Sequence, residues 1–554
     1  MAGRAITARA AKRVDVTRIL EIGPGNNEAD HMPYRIFGME KLESFVADSV
    51  NDNLWKVIPF LLLAAGIYFG LRTIFVQIRM VPDMFKAVAE SPKGKDRDGR
   101  DLDEEYGGIS AFKAFTISAA SRVGTGNIAG VALAITMGGP GAVFWMWIIA
   151  IVGGATAFVE STLAQLWKTK DTDGNYRGGP AYYITRGLGE KWKPLAVIFA
   201  LAISITYGFI YNAIQTNSIV EAVGGSLNND SNTLKTVVAL SLAAVTALII
   251  FGGVTRIANV TQVVVPFMAG AYIIVGILVL AVNYREIPGM FSLIVEHALG
   301  IKEIAGATVG YAFMNGMRRG LFSNEAGQGS APNAAATATV SHPVKQGLVQ
   351  TLGVYFDTLV VCTITAFIVL LGPAPIYGEE IQGAALTQSS LSDSVGAWGT
   401  HFVTFVLFFL AFSSVLGNYY LAQANVEYLT KKKSVLTAFR IGVVGFVIFG
   451  AFGSLPLVWA LGDTMTATMV FINLIAIIPL GGIAFKLLKN FSEQRAQGID
   501  PVFHRDMLPE LKNVEFWDGS DPVTRRSAED RVTVDEARRD GAAEDTDEGG
   551  LTRI

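Results

Sequence analysis

The chain has 554 residues, 51% hydrophobic and only 17% charged, with a mean hydropathy of +0.40, whereas soluble domains carry about 25% charged residues. One cysteine, Cys362, rules out a disulfide framework or a cysteine-based zinc site, and the single, scattered His31, His297, His342, His401 and His504 argue against a histidine metal cluster. The net charge of −3 is uneven: Ser492 to Ile554 holds 16 acidic against 9 basic residues, which leaves an oily, glycine-rich body and an acidic tail.

Residues 1–53 precede the first apolar run and contain no short apolar stretch that would suit a signal peptide. A membrane core takes about 20 apolar residues per helical crossing. Eleven such runs follow, near 54–77, 110–137, 141–167, 194–222, 235–253, 259–283, 304–338, 346–372, 395–421, 435–453 and 455–488. Most are apolar on every face, as membrane helices are. The composition therefore predicts an all-α integral membrane protein with a membrane-spanning body over 54–488. The tail from 489 to 554 is expected to be largely disordered, with Asp535 to Gly550 its most charged and aromatic-poor part. Connections on one side carry 17 Lys and Arg, including Arg79, Lys86, Lys93, Lys95, Arg97, Arg100, Arg256, Lys345 and Lys431 to Lys433. Those on the other side carry three: Lys235, Arg285 and Lys302. The positive-inside rule then puts the tail in the cytoplasm and the N-terminus outside the cell membrane.

Two runs are interrupted near their middle. One contains Arg122 to Gly130 (RVGTGNIAG) and the other Arg319 to Gly327 (RGLFSNEAG). Both read Arg, four residues, Asn, one residue, Ala, Gly. The copies lie in the second and seventh runs, an odd offset of five, so the second is antiparallel to the first. This is the footprint of a five-plus-five inverted repeat, about 110–283 and 304–488, with the first helix additional. Backbone groups left unpaired in lipid are tolerated only around a cavity or ligand. Freed N–H groups favour a carboxylate and freed carbonyls a small cation. Gly124 and Gly126 permit a close approach of ligand to backbone. Tight packing explains Gly138, Gly139, Gly141, Gly153 and Gly154 equally well, but it calls for neither the Asn nor the Glu in these breaks.

Ser121 to Gly130, Gly138 to Trp147 (GGPGAVFWMW) and Ser323 to Pro332 (SNEAGQGSAP) closely resemble the alanine or glycine:cation symporter family, from about Leu54 to Phe485. The resemblance implies the leucine-transporter fold with one extra helix. It also implies import of a small amino acid, alanine or glycine, with sodium as coupling ion and no covalent cofactor. Matched to that fold, Gly124, Thr125, Gly126 and Asn127 would bind substrate, the N–H groups of Thr125 and Gly126 taking its carboxylate. Ser323, Asn324 and Asn418 are further substrate candidates. Sodium would lie among the carbonyls of Ala120 and Val123 and the hydroxyls of Ser413 and Ser414, with Asn127 as an additional ligand. Serine pairs in membrane helices also commonly bond their own backbone. Family members continue after this pair with G-W-x-Y-Y-G-E, but here Asn418 replaces the Trp and Gln423 the Glu. A D-x-x-N-G pattern appears as Asp463, Thr464, Met465, Thr466 and Ala467. These departures open the pocket to a larger or more polar substrate, such as glutamine.

Arg122, Glu160, Arg318, Arg319, Glu325 and Asp357 fall within or beside the spans, where ionisable residues are costly and functional by default. Arg122 could pair with Glu160, and Arg319 could meet Glu325 or Asp357, but the sequence does not choose among these partners. Any of the carboxylates could carry a proton, so proton coupling stands as the alternative to sodium. A channel would need a continuous polar stripe, and an intramembrane enzyme a nucleophile–base pair or H-E-x-x-H; the chain has none of these. The partners expected are an amino acid, sodium and the bilayer, with no nucleic acid and no obligate protein partner.

Overall fold

The computed structural model describes residue 46, residues 50–89, 108–171, 174–301, 308–373 and 383–519, and residue 524. The expected N-terminal segment up to residue 49, apart from 46, the loop residues Lys93, Lys95, Arg97, Arg100 and Lys302, and the stretch from 535 to 550 lie outside the described residues. Helix α1 spans Asn53–Arg72. The first interrupted run forms α2 (Ala111–Arg122) and α3 (Val131–Gly138), joined through a π-helical turn at Gly126–Gly130. Helix α4 is Gly141–Leu166, followed by a small antiparallel pair, β1 (Thr169–Lys170) and β2 (Tyr176–Arg177). Then come α5 (Glu190–Leu227), α6 (Asn232–Ile250) and α7 (Arg256–Val282). The second interrupted run forms α8 (Val309–Asn324) and the short α9 (Ala331–Ala335). The chain continues as α10 (Pro343–Leu371), α11 (Trp398–Leu429), α12 (Lys433–Gly450) and α13 (Leu455–Ala496).

Among the described residues, nine helices are long and apolar enough to cross a membrane: α1, α4 to α7 and α10 to α13. The protein is thus an all-helical, multi-span body. Each long helix falls on one of the apolar runs of the sequence. Their starts follow ordinary capping chemistry: Ser110 accepts the Lys113 N–H at 3.2 Å, and Ser231 that of Leu234 at 3.2 Å. The second break differs from the expected half-helix, because only five residues regain helical form after it. Nearly everything from Asn315 to Gln350 is buried, so this irregular backbone sits inside protein.

The acidic tail begins later than residue 489. Helix α13 continues to Ala496, and the segment to 519 folds back on the body. Two aromatic side chains set against its charges explain this: Phe503 and Trp517 are fully buried. The Phe503 N–H donates to the Ser341 carbonyl at 2.9 Å, and Trp517 Nε1 donates to the Leu166 carbonyl at 3.3 Å. Lys345 pairs with Asp500 at 2.7 Å. His342 lies between the rings of Phe491 and Phe503, at 5.2 and 5.5 Å. Burial of its imidazole pushes the pKa down from 6.5 to about 3.

His342 therefore stays neutral in the folded protein, while the unfolded chain takes up a proton below about pH 6.5. Its contribution to stability is full above that pH and is lost as pH falls toward the folded value. Amide exchange across 497–519, corrected for intrinsic rates, should rise between about pH 7.5 and 5.5, and His342→Gln should flatten the change. Equal protection at both pH values would contradict this docking.

Candidate substrate and cation site

The first break lies between α2 and α3. After Arg122 the backbone turns extended at Val123, and it recoils only at Gly126. The freed Gly124 N–H donates to Asn127 Oδ1 at 2.9 Å, so the break caps itself from within. The Thr125 N–H donates to Gln215 Oε1, 3.1 Å away on α5. Helix α11 presses on the other side. Ser414 Oγ lies 3.5 Å from the Val123 carbonyl and donates to the Leu410 carbonyl at 3.0 Å. Glycine is required for this approach. A Cβ on Gly124 would sit 2.2 Å from Ser414 Oγ, and one on Gly417 would sit 2.7 Å from the Ser121 nitrogen and 3.1 Å from the Ala120 carbonyl carbon.

The second break follows Asn324. Glu325, Gly327 and Gly329 adopt positive φ angles of 57°, 82° and 77°, which glycine accepts without strain. The N–H groups of Gly327 and Gly329 donate to the two carboxylate oxygens of Glu160 on α4, both at 3.1 Å. Asn473 of α13 donates to the same carboxylate at 2.7 Å and to the Gly327 carbonyl at 3.0 Å. Tyr183 in turn donates to Asn473 Oδ1. Glu325 itself accepts from Ser330 at 2.6 Å and from Ser121 at 2.7 Å.

The two breaks touch. A Cβ on Gly126 would lie 3.3 Å from Ser323 Cα and 3.2 Å from the Phe322 ring. Asp357, in the π-helical stretch Phe356–Cys362 of α10, joins them: Asn127 donates to one oxygen at 2.6 Å, and Ser323 and Thr358 to the other at 2.8 Å each. All four residues are fully buried. Such π-turns recur at functional sites in membrane and soluble helices alike.

Most of the candidates are gathered here. Ala120, Val123 and Ser414 adjoin the first break, and Asn127 and Ser323 meet at Asp357. Ser413 donates to the Leu410 carbonyl at 2.8 Å, the ordinary backbone bond of a helical serine. Asn324 turns to the Ala326 N–H at 3.0 Å. Asn418 bonds across helices: it donates to Asn212 of α5 at 3.1 Å, and its oxygen lies 2.9 Å from Ser121 Oγ. The structure supplies the partners that the sequence left open. Arg319 pairs with Asp463 of α13, not with Glu325 or Asp357, and stacks on Trp459 at 4.5 Å. Arg122 makes no direct ion pair with Glu160 and donates to the Gln350 carbonyl at 3.2 Å. Gln215 and Asn473 were not singled out from the sequence. Gln215 lies in a polar stretch of α5 with Asn212 and Asn217, whereas Asn473 is the single amide between 455 and 488. The available signal was that an amide inside a membrane span asks for a partner.

Over residues 39–505 the chain matches the sodium:alanine symporter family. The chain belongs to that family. It is 47% identical over 480 residues to the amino-acid carrier protein AlsT of Bacillus subtilis, covering 86% of this chain and 99% of that one. It is 45% identical over 487 residues to the probable sodium/glutamine symporter GlnT of the same organism, covering 88% and 98%. The sodium/alanine symporter AgcS of Methanococcus maripaludis is 38% identical over 455 residues, covering 81% and 97%. The protein is accordingly a multi-pass membrane transport protein of the sodium/amino-acid symporter type.

Glu160 closes the second break, so its removal should be felt in the fold itself. Glu160→Ala leaves two backbone N–H groups and an amide without their acceptor, at about 1–3 kcal/mol for each buried orphan. Purified Glu160→Ala should melt several degrees lower than the parent, with Glu160→Gln between them. An unchanged melting temperature would contradict the role.

Proposed function

We propose that the protein imports a small neutral amino acid, alanine or glycine, together with sodium by alternating access. The observation that carries this reading is the Thr125–Gln215 hydrogen bond. A backbone N–H freed by the break is held by a neutral side-chain oxygen, which an incoming carboxylate can replace with a stronger, charge-assisted bond. Gly124 and Gly126 keep side chains off that stretch. Sodium binds beside it, among the carbonyls of Ala120 and Val123 and the hydroxyl of Ser414, hard oxygen donors that suit an alkali cation. Ser413 joins once its hydroxyl leaves the Leu410 carbonyl. Substrate and ion then share one unwound strand, so each favours the conformation that the other needs. The family's description and the names of two of the relatives above support sodium as the coupling ion.

The two matched motifs, each at a break and in contact through Gly126 and Ser323, support a five-plus-five inverted repeat. The charge bias of the connections supports a cytoplasmic C-terminus. A second reading has specific support. Asn418 stands where the family has Trp, and GlnT is named for glutamine, which favours a larger or more polar substrate. Asp357 and Glu325, buried beside the breaks, are the proton carriers in that alternative.

Uptake of labelled alanine into proteoliposomes should follow an imposed inward sodium gradient. Accumulation without sodium, driven by a pH gradient alone, would overturn sodium coupling and move attention to Asp357 and Glu325. Ser414→Ala should raise the sodium concentration for half-maximal uptake about tenfold, the loss of one ligand interaction of about 1.4 kcal/mol. An unchanged sodium dependence would remove Ser414 from the ion site. Asn418→Trp should narrow the accepted amino acids by roughly 10- to 200-fold discrimination; an unaltered rank order in competition would place Asn418 outside the pocket.

A further inference from the structure

We propose that the connection between α11 and α12 forms a binding site for the headgroup of an anionic phospholipid. Helix α11 ends at Leu429 and α12 begins at Lys433. This short link between two spans must lie at the membrane surface. It carries Lys431, Lys432 and Lys433, all exposed. They border a cavity of about 300 Å³ together with Arg440, Asp171 and Glu427.

The two acids do not neutralise the lysines. Both are taken by the buried Arg177, which approaches Asp171 at 3.1 Å and Glu427 at 2.8 Å. Gln423 donates to Glu427 as well, at 2.5 Å. Counting Arg177, five cations face two carboxylates. Lys431, Lys432, Lys433 and Arg440 make no ion pair among the described residues. Arg440 is the fixed member of the group. Its Nε donates to the Tyr419 hydroxyl at 2.7 Å, and its guanidinium lies 5.7 Å from the Phe251 ring. It stands about 10 Å up the helix from Lys433, from seven residues at the helical rise. The cavity therefore has an exposed cationic rim at the surface and an anchored cation deeper in.

The surroundings favour a lipid over a soluble anion. Helix α12 is the least enclosed of the nine, with 17% of its apolar window buried. Val435, Ile441 and Phe449 along it are 43%, 62% and 43% exposed. A phosphate held between the lysines and Arg440 would leave its acyl chains against this open apolar surface. A zwitterionic headgroup would bring its own ammonium against the lysines, so the site selects net negative charge.

Native mass spectrometry of the full-length protein, titrated with phosphatidylglycerol and phosphatidylcholine, tests this. Phosphatidylglycerol should saturate a first site at a concentration about tenfold lower than phosphatidylcholine, a preference that shrinks with added salt. The combined change Lys431→Gln, Lys432→Gln and Lys433→Gln should abolish the preference, and Arg440→Gln alone should weaken it at least threefold. Arg285→Gln, an exposed cation on another connection, should leave it intact. Equal binding of the two lipids, or an unchanged preference in the triple variant, would overturn the site. Displacement of the lipid by inorganic phosphate at equal concentration would overturn its assignment to lipid.

Discussion

A helix that stops half-way across a membrane releases N–H and C=O groups into surroundings that offer them no partner. In this protein one carboxylate answers much of that demand at the second break. Glu160 receives the N–H groups of Gly327 and Gly329 on its two oxygens and the amide of Asn473 on one of them. The bond fixes more than a loop. Helix α4 must lie against the break to deliver Glu160, and α13 must lie close enough to deliver Asn473. Tyr183 holds Asn473 from the far side. Charge on the acceptor makes each of these bonds worth roughly 1.5–3 kcal/mol, against 0.5–1.5 for a neutral pair.

The first break is held by weaker means. Its N–H groups meet neutral amide oxygens, from Asn127 within the break and from Gln215 on α5. Its carbonyl at Val123 faces a serine hydroxyl at the edge of bonding distance. The contrast in strength is the basis for division of labour between the two breaks. A charge-closed turn at Gly327 and Gly329 lies against a more weakly held one at Gly124 to Gly126, where the proposed substrate would exchange for a side chain. Asp357 couples them, since Asn127 and Ser323 both bond to it. A shift of either break is thereby felt by the other.

Much of this was legible in the sequence because membrane burial makes polar residues conspicuous. The two interruptions, the glycines that permit them and the buried charges Glu160, Glu325 and Asp357 could all be named from the chain alone. Their partners could not, because they come from far along the chain: Glu160 meets Gly329 across 169 positions, and Arg319 meets Asp463 across 144. Gln215 and Asn473 escaped notice because an amide carries no charge. Asn473 is a single one in a long span, and Gln215 is one of three in α5, with Asn212 and Asn217, and nothing local marks which of them meets the break. The tail misled for the opposite reason. Its charge count hid Phe503 and Trp517, whose burial docks the segment to 519. Asn418 was legible as a departure from its family, yet its bond to Asn212 depends on how α11 meets α5.

The central claim is that the break at Gly124 to Gly126 receives a substrate carboxylate next to sodium. Calorimetric titration of the purified protein with alanine and with alaninamide, each with and without sodium, tests it most directly. The two ligands differ only in the carboxylate that the Thr125 N–H would hold. The account predicts that alanine binds in sodium and not in its absence, and that alaninamide binds in neither. Equal binding of alaninamide, or binding of alanine indifferent to sodium, would contradict it.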